Sequence, residues 1–307
     1  MKGIVIRSTG SWYNVRLDDG RMISARLKGK FRLDGNKSSN PIAVGDEVLI
    51  DAEGGTEAVV AEILPRRNYI SRQSPKHQQH RSIIAANIDQ AFLVATIASP
   101  RTSSGFIDRF LVTAEAYHIP AHLIFNKQDI LTEKDNAKQD EFIEIYGQAG
   151  YPMHLVSALN VQNIESLKAL MKDKVTLVAG HSGVGKSTLI NAIQPNLGLR
   201  TAEISQKHAK GTHTTTFAEM FELPFGGYII DTPGIKEFGI LDLEPEEVSH
   251  YFPEMRDRLQ GCQFNNCLHT DEKKCAIKTA VQAGEISIER YTNYLNILAD
   301  AKQMPRY

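Results

Sequence analysis

The sequence predicts an open α/β core of mostly parallel strands, preceded by a small all-β barrel and followed by a mainly helical domain that holds a metal. Three observations carry that expectation. Five short strand patterns without a helix fill the first 65 residues, strands alternate with helices between 82 and 240, and all three cysteines fall between 262 and 275. With 42% hydrophobic and 23% charged residues, the 307-residue chain has ordinary globular composition and length for roughly two domains. No apolar run approaches the ~20 residues that span a bilayer. The opening "MKGIVIRSTGSWYNVRL" lacks the sustained apolar core of an export signal, so a cytoplasmic protein without a membrane partner is expected.

Residues 1–65 read as the barrel. Its strands are "GIVIRS", "WYNVRL", "RMISARL", "DEVLI" and "AVVAEIL", parted by turn signals at Thr9-Gly10, Asp18-Asp19-Gly20, Asp34-Gly35 and Gly54-Gly55. Asp19-Gly20 suits a tight hairpin because both residues tolerate positive φ. An OB-fold closes its edges in about this length, and an SH3-like barrel would leave the same trace. A net charge of −1 excludes a chain basic throughout. Basic residues are instead local: nine against three acidic ones over 1–40, and Arg66, Arg67, Arg72, Lys76 and Arg81 with no acid over 63–81. Beside Trp12 and Tyr13 they suit RNA, aromatics stacking on bases while cations follow phosphates. Residues 66–81 carry no period and read as a linker.

From 82 to 240 the periodicity changes. "IDQAFLVATIA" is a buried strand, and "GFIDRFLVTAEAYHI" places Phe106, Phe110, Leu111, Ala114 and Tyr117 at helical spacing. "AHLIFN", "YPMHLVSA" and "VTLVAG" are further strands; "EKDNAKQDEFIEIYGQAG", "NIESLKALM" and "GKSTLINAI" are helices. Such alternation builds βαβ units and a sheet covered on both faces.

Residues 180–188, "GHSGVGKST", fit Gly-x-x-x-x-Gly-Lys-Ser between a strand and a helix. Gly180, Gly183 and Gly185 let the backbone curl, so that N–H groups along His181, Ser182 and Val184 face phosphate oxygens at a helix N-terminus. Lys186 brings a mobile positive charge to the β/γ-phosphates, Ser187 offers its hydroxyl to Mg²⁺, and Thr188 completes the motif. The loop alone serves ATP or GTP.

The base is chosen elsewhere. In "NKQD" Asp129 can accept N1–H and the exocyclic amine of guanine together, a donor pair that adenine lacks. Asn126 would bond the acceptor edge, Lys127 would lie over the ring, and Gln128 fills the free position. The motif ends a strand, where open α/β sheets bind ligands. The next strand ends in "SAL", with Ser157 and Ala158 placed to brace the base. Downstream, "YIIDTPG" supplies Asp231 to hold Mg²⁺ through water and the Gly234 N–H to reach the γ-phosphate. "KGTHTTTF" offers a Thr hydroxyl to the same ion; the choice among Thr214, Thr215 and Thr216 stays open, with Thr215 taken as the ligand.

The order is therefore base reader, brace, phosphate loop, Thr loop, Asp-x-x-Gly, which is a GTPase cut open and rejoined. "MKDK" after "NIESLKALM" closes the cut, because the ends of a compact domain lie near each other. Rejoining makes Asp231–Gly234 run straight into "IKEFGILDLEPEEV", a path by which nucleotide state would reach the C-terminal region.

That region, 241–307, holds Cys262, Cys267, His269 and Cys275 as C-x4-C-x-H-x5-C. Three thiolates and one imidazole complete a tetrahedral structural zinc site with no open position for catalysis. An odd cysteine count disfavours disulfides. Ser287 would cap a helix with Ile288, Tyr291, Tyr294, Leu295 and Leu298 on its apolar face.

In this combination, over nearly the whole chain, the sequence resembles the RsgA/YjeQ family of circularly permuted GTPases. The resemblance implies a circularly permuted α/β P-loop GTPase core (82–240) with an N-terminal all-β OB-fold barrel that binds RNA (1–65) and a C-terminal, mainly α zinc-binding domain (241–307). It implies hydrolysis of GTP to GDP and phosphate, one structural Zn²⁺ per chain, and Mg²⁺ with GTP. It also implies a monomer acting in late maturation of the 30S ribosomal subunit, with 16S rRNA as partner and hydrolysis stimulated by the subunit. Ile235 stands where many GTPases place a water-orienting Gln and cannot hydrogen-bond a water, so unassisted hydrolysis should be slow. His213 is the candidate to approach that water; a His that meets RNA or solvent is the competing reading. Thr212 departs from the family's Arg, and Gly183 stands where potassium-using relatives carry Asn. A P-loop ATPase or kinase would leave NKQD, SAL and DTPG unexplained together, and a non-hydrolysing RNA scaffold would not need intact Lys186, Ser187 and Asp231. A permuted GTPase with another RNA partner fits the same residues.

Overall fold

The computed structural model describes residues 1–10, 12–27, 41–51, 58–73, 81–197, 218–231 and 243–303. The chain divides into two compact units, one of 1–91, 165–179 and 193–235, the other of 92–164, 180–192 and 236–307. Among the described residues no helix is long and apolar enough to cross a membrane.

In the first unit β1 (Lys2–Ser8), β2 (Tyr13–Leu17), β3 (Met22–Leu27), β4 (Glu47–Asp51) and β5 (Ala58–Ile63) follow the order β1-β2-β3-β5-β4, and β4 returns to β1. A parallel β3–β5 pair and an antiparallel β1–β4 pair close the OB-fold barrel. Strict alternation drives it: Tyr13, Val15 and Leu17 of β2 are buried in one core with Val5, Val48 and Val60. The β2–β3 turn uses Gly20 at φ 87, its N–H donating to Leu17 O at 2.9 Å. Residues 66–81 are not a plain linker. β6 (Tyr69–Gln73) pairs antiparallel with β7 (Arg81–Ala86), and its "YISRQ" has too few apolar residues to show a period. Arg66 fastens the start of this hairpin, donating to both oxygens of the fully buried Asp46 at 2.6 and 2.7 Å.

β11 (Val175–Ala179), β12 (Glu219–Glu222) and β13 (Tyr228–Asp231) complete this unit, with β11 and β13 parallel and β12 antiparallel to both β13 and β1. Ion pairs reinforce the β12 side: Arg16 reaches Glu222 at 2.8 Å and Arg7 reaches Glu219 at 3.9 Å. Lys2–Glu47, Arg21–Asp19 and Arg67–Asp89 pairs also form, so part of the basic excess is spent inside the unit. Lys28, Lys30, Arg32, Lys37 and Lys76 lie outside the described residues.

In the second unit β8 (Gln90–Ala95), β9 (Ala121–Phe125) and β10 (Met153–Leu155) lie side by side, β9 and β10 parallel. α1 (Ser104–Ala116) is capped by Ser103, whose hydroxyl accepts the Phe106 N–H. α2 (Glu133–Gln148) opens on a capping box of Thr132 and Asp135, and Gly150 at φ 84 follows its end. α3 (Ile164–Met171) belongs almost wholly to the first unit, and α4 (Lys186–Ile193) opens at the phosphate loop. α5 (Pro253–Arg256), α6 (Ala276–Gln282) and α7 (Ile288–Gln303) form the C-terminal part. Ser287 does cap α7, accepting the Glu289 N–H at 3.2 Å, and Tyr294, Ile297 and Leu298 are buried. Ile288 is instead 66% exposed: six residues before Tyr294, it lies about 240° round the helix from it. Arg290, 1% exposed, donates to both Glu254 oxygens at 2.7 and 2.9 Å and to Asp108 at 2.6 Å, joining α7 to α5 and α1.

Candidate functional site

The loops after β9 and β10 meet the phosphate loop in the second unit, and Asn126 is where they meet. It is 2% exposed; its Nδ2 donates to Val184 O at 2.9 Å, and its Oδ1 accepts the Ala158 N–H at 3.0 Å. Sequence spacing assigns Asn126 to the base edge alone, whereas the structure makes it a clasp with one amide N–H still uncommitted to Val184. Ser157 donates its hydroxyl to the Asp129 carboxylate and accepts the Asn160 N–H at 3.2 Å, which aims the carboxylate. Lys127 sits at φ 67 and donates from Nζ to Ser99 O at 2.5 Å. Gln128 faces the protein, donating to Phe125 O at 3.2 Å and accepting from Gln139 at 2.9 Å.

The phosphate loop keeps glycine where neighbouring backbone and the Asn126 side chain leave no room. A Cβ on Gly180, at φ 143, would stand 2.3 Å from Val94 O, and one on Gly185, at φ 92, would stand 2.5 Å from Asn126 Nδ2. Lys186 arches over the loop, donating to Gly180 O at 2.5 Å and His181 O at 3.0 Å. Ser187 and Thr188 occupy the first turn of α4, half-buried; Ser182 and Gly183 are exposed, and Val184 is buried. Asp231 ends β13 in the first unit, in register with Val178 of β11. His213, Thr214, Thr215, Thr216, Gly234 and Ile235 lie outside the described residues. Spacing gave no sign of Ser99 or Thr102, which also touch these loops from the segment after β8.

Cys262, Cys267, His269 and Cys275 converge, their donor atoms all within 4.8 Å of one another. His269 Nδ1 lies 3.3 Å from the Cys275 sulfur and 3.7 Å from the Cys262 sulfur. A tetrahedral ion with bonds of ~2.3 Å to sulfur and ~2.0 Å to nitrogen sets such donors about 3.6 Å apart, so the cluster can hold a metal ion. Burial pushes the Cys267 thiol up to about 12, and a cation among the sulfurs is what would make it a thiolate. Burial pushes His269 down, keeping it neutral as a ligand must be. Glu272 closes the loop from outside, accepting the Leu268 and Thr270 N–H groups at 2.8 and 2.7 Å. Burial would raise its carboxyl, but these backbone donors prevail and hold it below the usual range. Tyr291 and Tyr294 donate to the carbonyls of His269 and Leu268 at 2.6 and 2.7 Å.

NKQD and SAL segments that precede a Gly-x-x-x-x-Gly-Lys-Ser loop and pack against it, in a chain that opens with an OB barrel, define a circularly permuted P-loop GTPase. Residues 63–241 match the family described as RsgA GTPase and residues 2–60 match the RsgA N-terminal domain. The chain belongs to the RsgA family. The small ribosomal subunit biogenesis GTPase RsgA of Christiangramia forsetii is 52% identical over 97% of this chain and 96% of its own. That of Phocaeicola vulgatus is 52% identical over 99% and 98%. Among solved structures, YjeQ from Thermotoga maritima superposes with a TM-score of 0.82 at 37% identity, covering 99% of both chains. YloQ, a circularly permuted GTPase, gives 0.77 at 31%, covering 100% of this chain and 96% of its own.

Proposed function

We infer that this chain hydrolyses GTP to GDP and phosphate in the biogenesis of the small ribosomal subunit, and that the 30S subunit stimulates the reaction. The observation that carries this reading is the Asn126 clasp, which makes base reader, brace and phosphate loop one binding surface. Asp129, aimed by Ser157, accepts the two guanine donors, and Ala158 backs the base. Asn126 offers its second N–H to the acceptor edge, and Lys127 covers the ring. Backbone N–H groups from Gly180 to Thr188 and the Lys186 ammonium receive the phosphates. Bound Mg²⁺ would neutralise charge between the β- and γ-phosphates, with Ser187, Asp231 and one of Thr214–Thr216, Thr215 foremost, holding it. Gly234 senses the γ-phosphate, and His213 approaches the water that Ile235 cannot orient. The three-thiol cluster holds one structural zinc, which fits its donor set. The barrel of 1–65, where Arg26 lies 4.0 Å over the Trp12 ring, contacts 16S rRNA, and the protein works as a cytoplasmic monomer.

The test is GTP turnover with and without purified 30S subunits. Slow hydrolysis alone and a marked rise with subunits are expected. Asp129→Asn should lose guanine affinity by roughly tenfold or more, since hydrogen bonds to a charged group are worth ~1.5–3 kcal/mol each. His213→Ala should lose the stimulated kcat. Turnover indifferent to the subunit would refute the proposed role, and ATP hydrolysis at equal efficiency would favour the ATPase reading.

A further inference from the structure

Thr102 sits in the segment between β8 and α1, 1% exposed. Its Oγ1 accepts the Thr96 N–H at 3.0 Å and lies 2.8 Å from His181 Nε2, the first variable residue of the phosphate loop. His181 Nδ1 faces Ser182 O at 3.1 Å, and a carbonyl oxygen can only accept, so the neutral imidazole carries its proton on Nδ1. Nε2 is then an acceptor, and the Thr102 hydroxyl donates to it while a lone pair of its oxygen takes the Thr96 N–H. The Thr96 N–H, the Thr102 hydroxyl and the His181 Nδ1–H thus each meet an acceptor. The Phe106 ring meets the imidazole edge-on at 5.5 Å and keeps its plane.

The C=O and N–H of a trans peptide point in opposite directions. Holding Ser182 O beside His181 therefore turns the Gly183 N–H away from the imidazole. Packing does not settle this peptide, because Ser182 and Gly183 are both exposed. Pro100, two residues before Thr102, backs the loop, 3.3 Å from where a Gly183 Cβ would stand. We propose that Thr102 is a positioning residue for nucleotide binding: through His181 it orients the Ser182–Gly183 peptide so that the Gly183 N–H is presented to the nucleotide's phosphates. This rests on the guanine-nucleotide reading above.

The test compares Thr102→Val, which keeps the shape and loses the hydroxyl, with Thr102→Ser, which keeps the hydroxyl. Titrating a fluorescent GDP, we expect Val to weaken binding about tenfold and Ser to stay within about twofold of wild type. Ring ¹⁵N shifts of His181 should report the Nδ1–H tautomer in wild type and Ser, and a tautomer mixture in Val. Wild-type affinity in Val overturns the proposal, as does equal loss in both variants, which would mean packing alone. A wild-type chain that binds no guanine nucleotide overturns the functional reading itself.

Discussion

Asn126 shows how much one side chain can decide. Its two engaged ends reach residues 58 and 32 positions away in the chain, which is why spacing gives no sign of a clasp. Asn126→Asp would keep an acceptor for Ala158 but place a carboxylate against the Val184 carbonyl. Leaving buried groups mismatched costs ~1–3 kcal/mol, so we expect GDP affinity to fall by about tenfold or more and the urea midpoint to drop. Unchanged GDP titration in this variant would show that the loops hold together without it. Ser157 follows the same logic: "SAL" was legible as a brace, but that its hydroxyl aims Asp129 depends on the fold.

At the scale of elements, α7 is locked to α1 and α5 by one buried Arg290 and two carboxylates, Asp108 and Glu254. The ring of Phe252 lies 4.6 Å under the guanidinium, and Asn293 donates to the second Asp108 oxygen at 2.7 Å. Arg290→Met would strand two buried carboxylates and should cost ~3–5 kcal/mol in chemical denaturation. Adding Asp108→Asn and Glu254→Gln should recover part of that loss; no recovery would mean that the arginine acts by packing. The cap at Ser287 and the stripe through Tyr294 and Leu298 were readable because both are local. Ile288 was misplaced because an apolar residue at a helix start need not lie on its buried stripe. β6 and β12 were not readable, since "YISRQ" and "EMFE" do not alternate apolar with polar residues and exist through their pairing partners.

On the scale of the whole molecule, the cluster of three cysteines and His269 that can hold a metal is part of a core. Cys267 and Cys275 pack in one cluster with Phe252, Met255, Ile277 and Tyr294, and Val112 of α1 belongs to it. Removing the metal with a chelator at neutral pH should therefore loosen more than the ligand loop. Hydrogen exchange is expected to rise over residues 262–303 and in α1, while the barrel strands of 2–63 keep their protection. Full protection of 262–303 in protein shown to be metal-free would exclude a structural metal.

Contiguous runs let the sequence by itself determine the barrel strands, the permuted order of nucleotide motifs and the cluster of three cysteines and one histidine. In each, spacing along the backbone is already the chemistry: a glycine-rich curl before a helix, a carboxylate at a strand end, thiols a few residues apart. The tertiary structure decided what depends on distant partners. It made Asn126 a junction, set Thr102 behind His181, buried Arg290 between two acids and paired β12 with β1. A hydrogen bond between residues tens of positions apart leaves no period in the chain, so only the folded arrangement can show it.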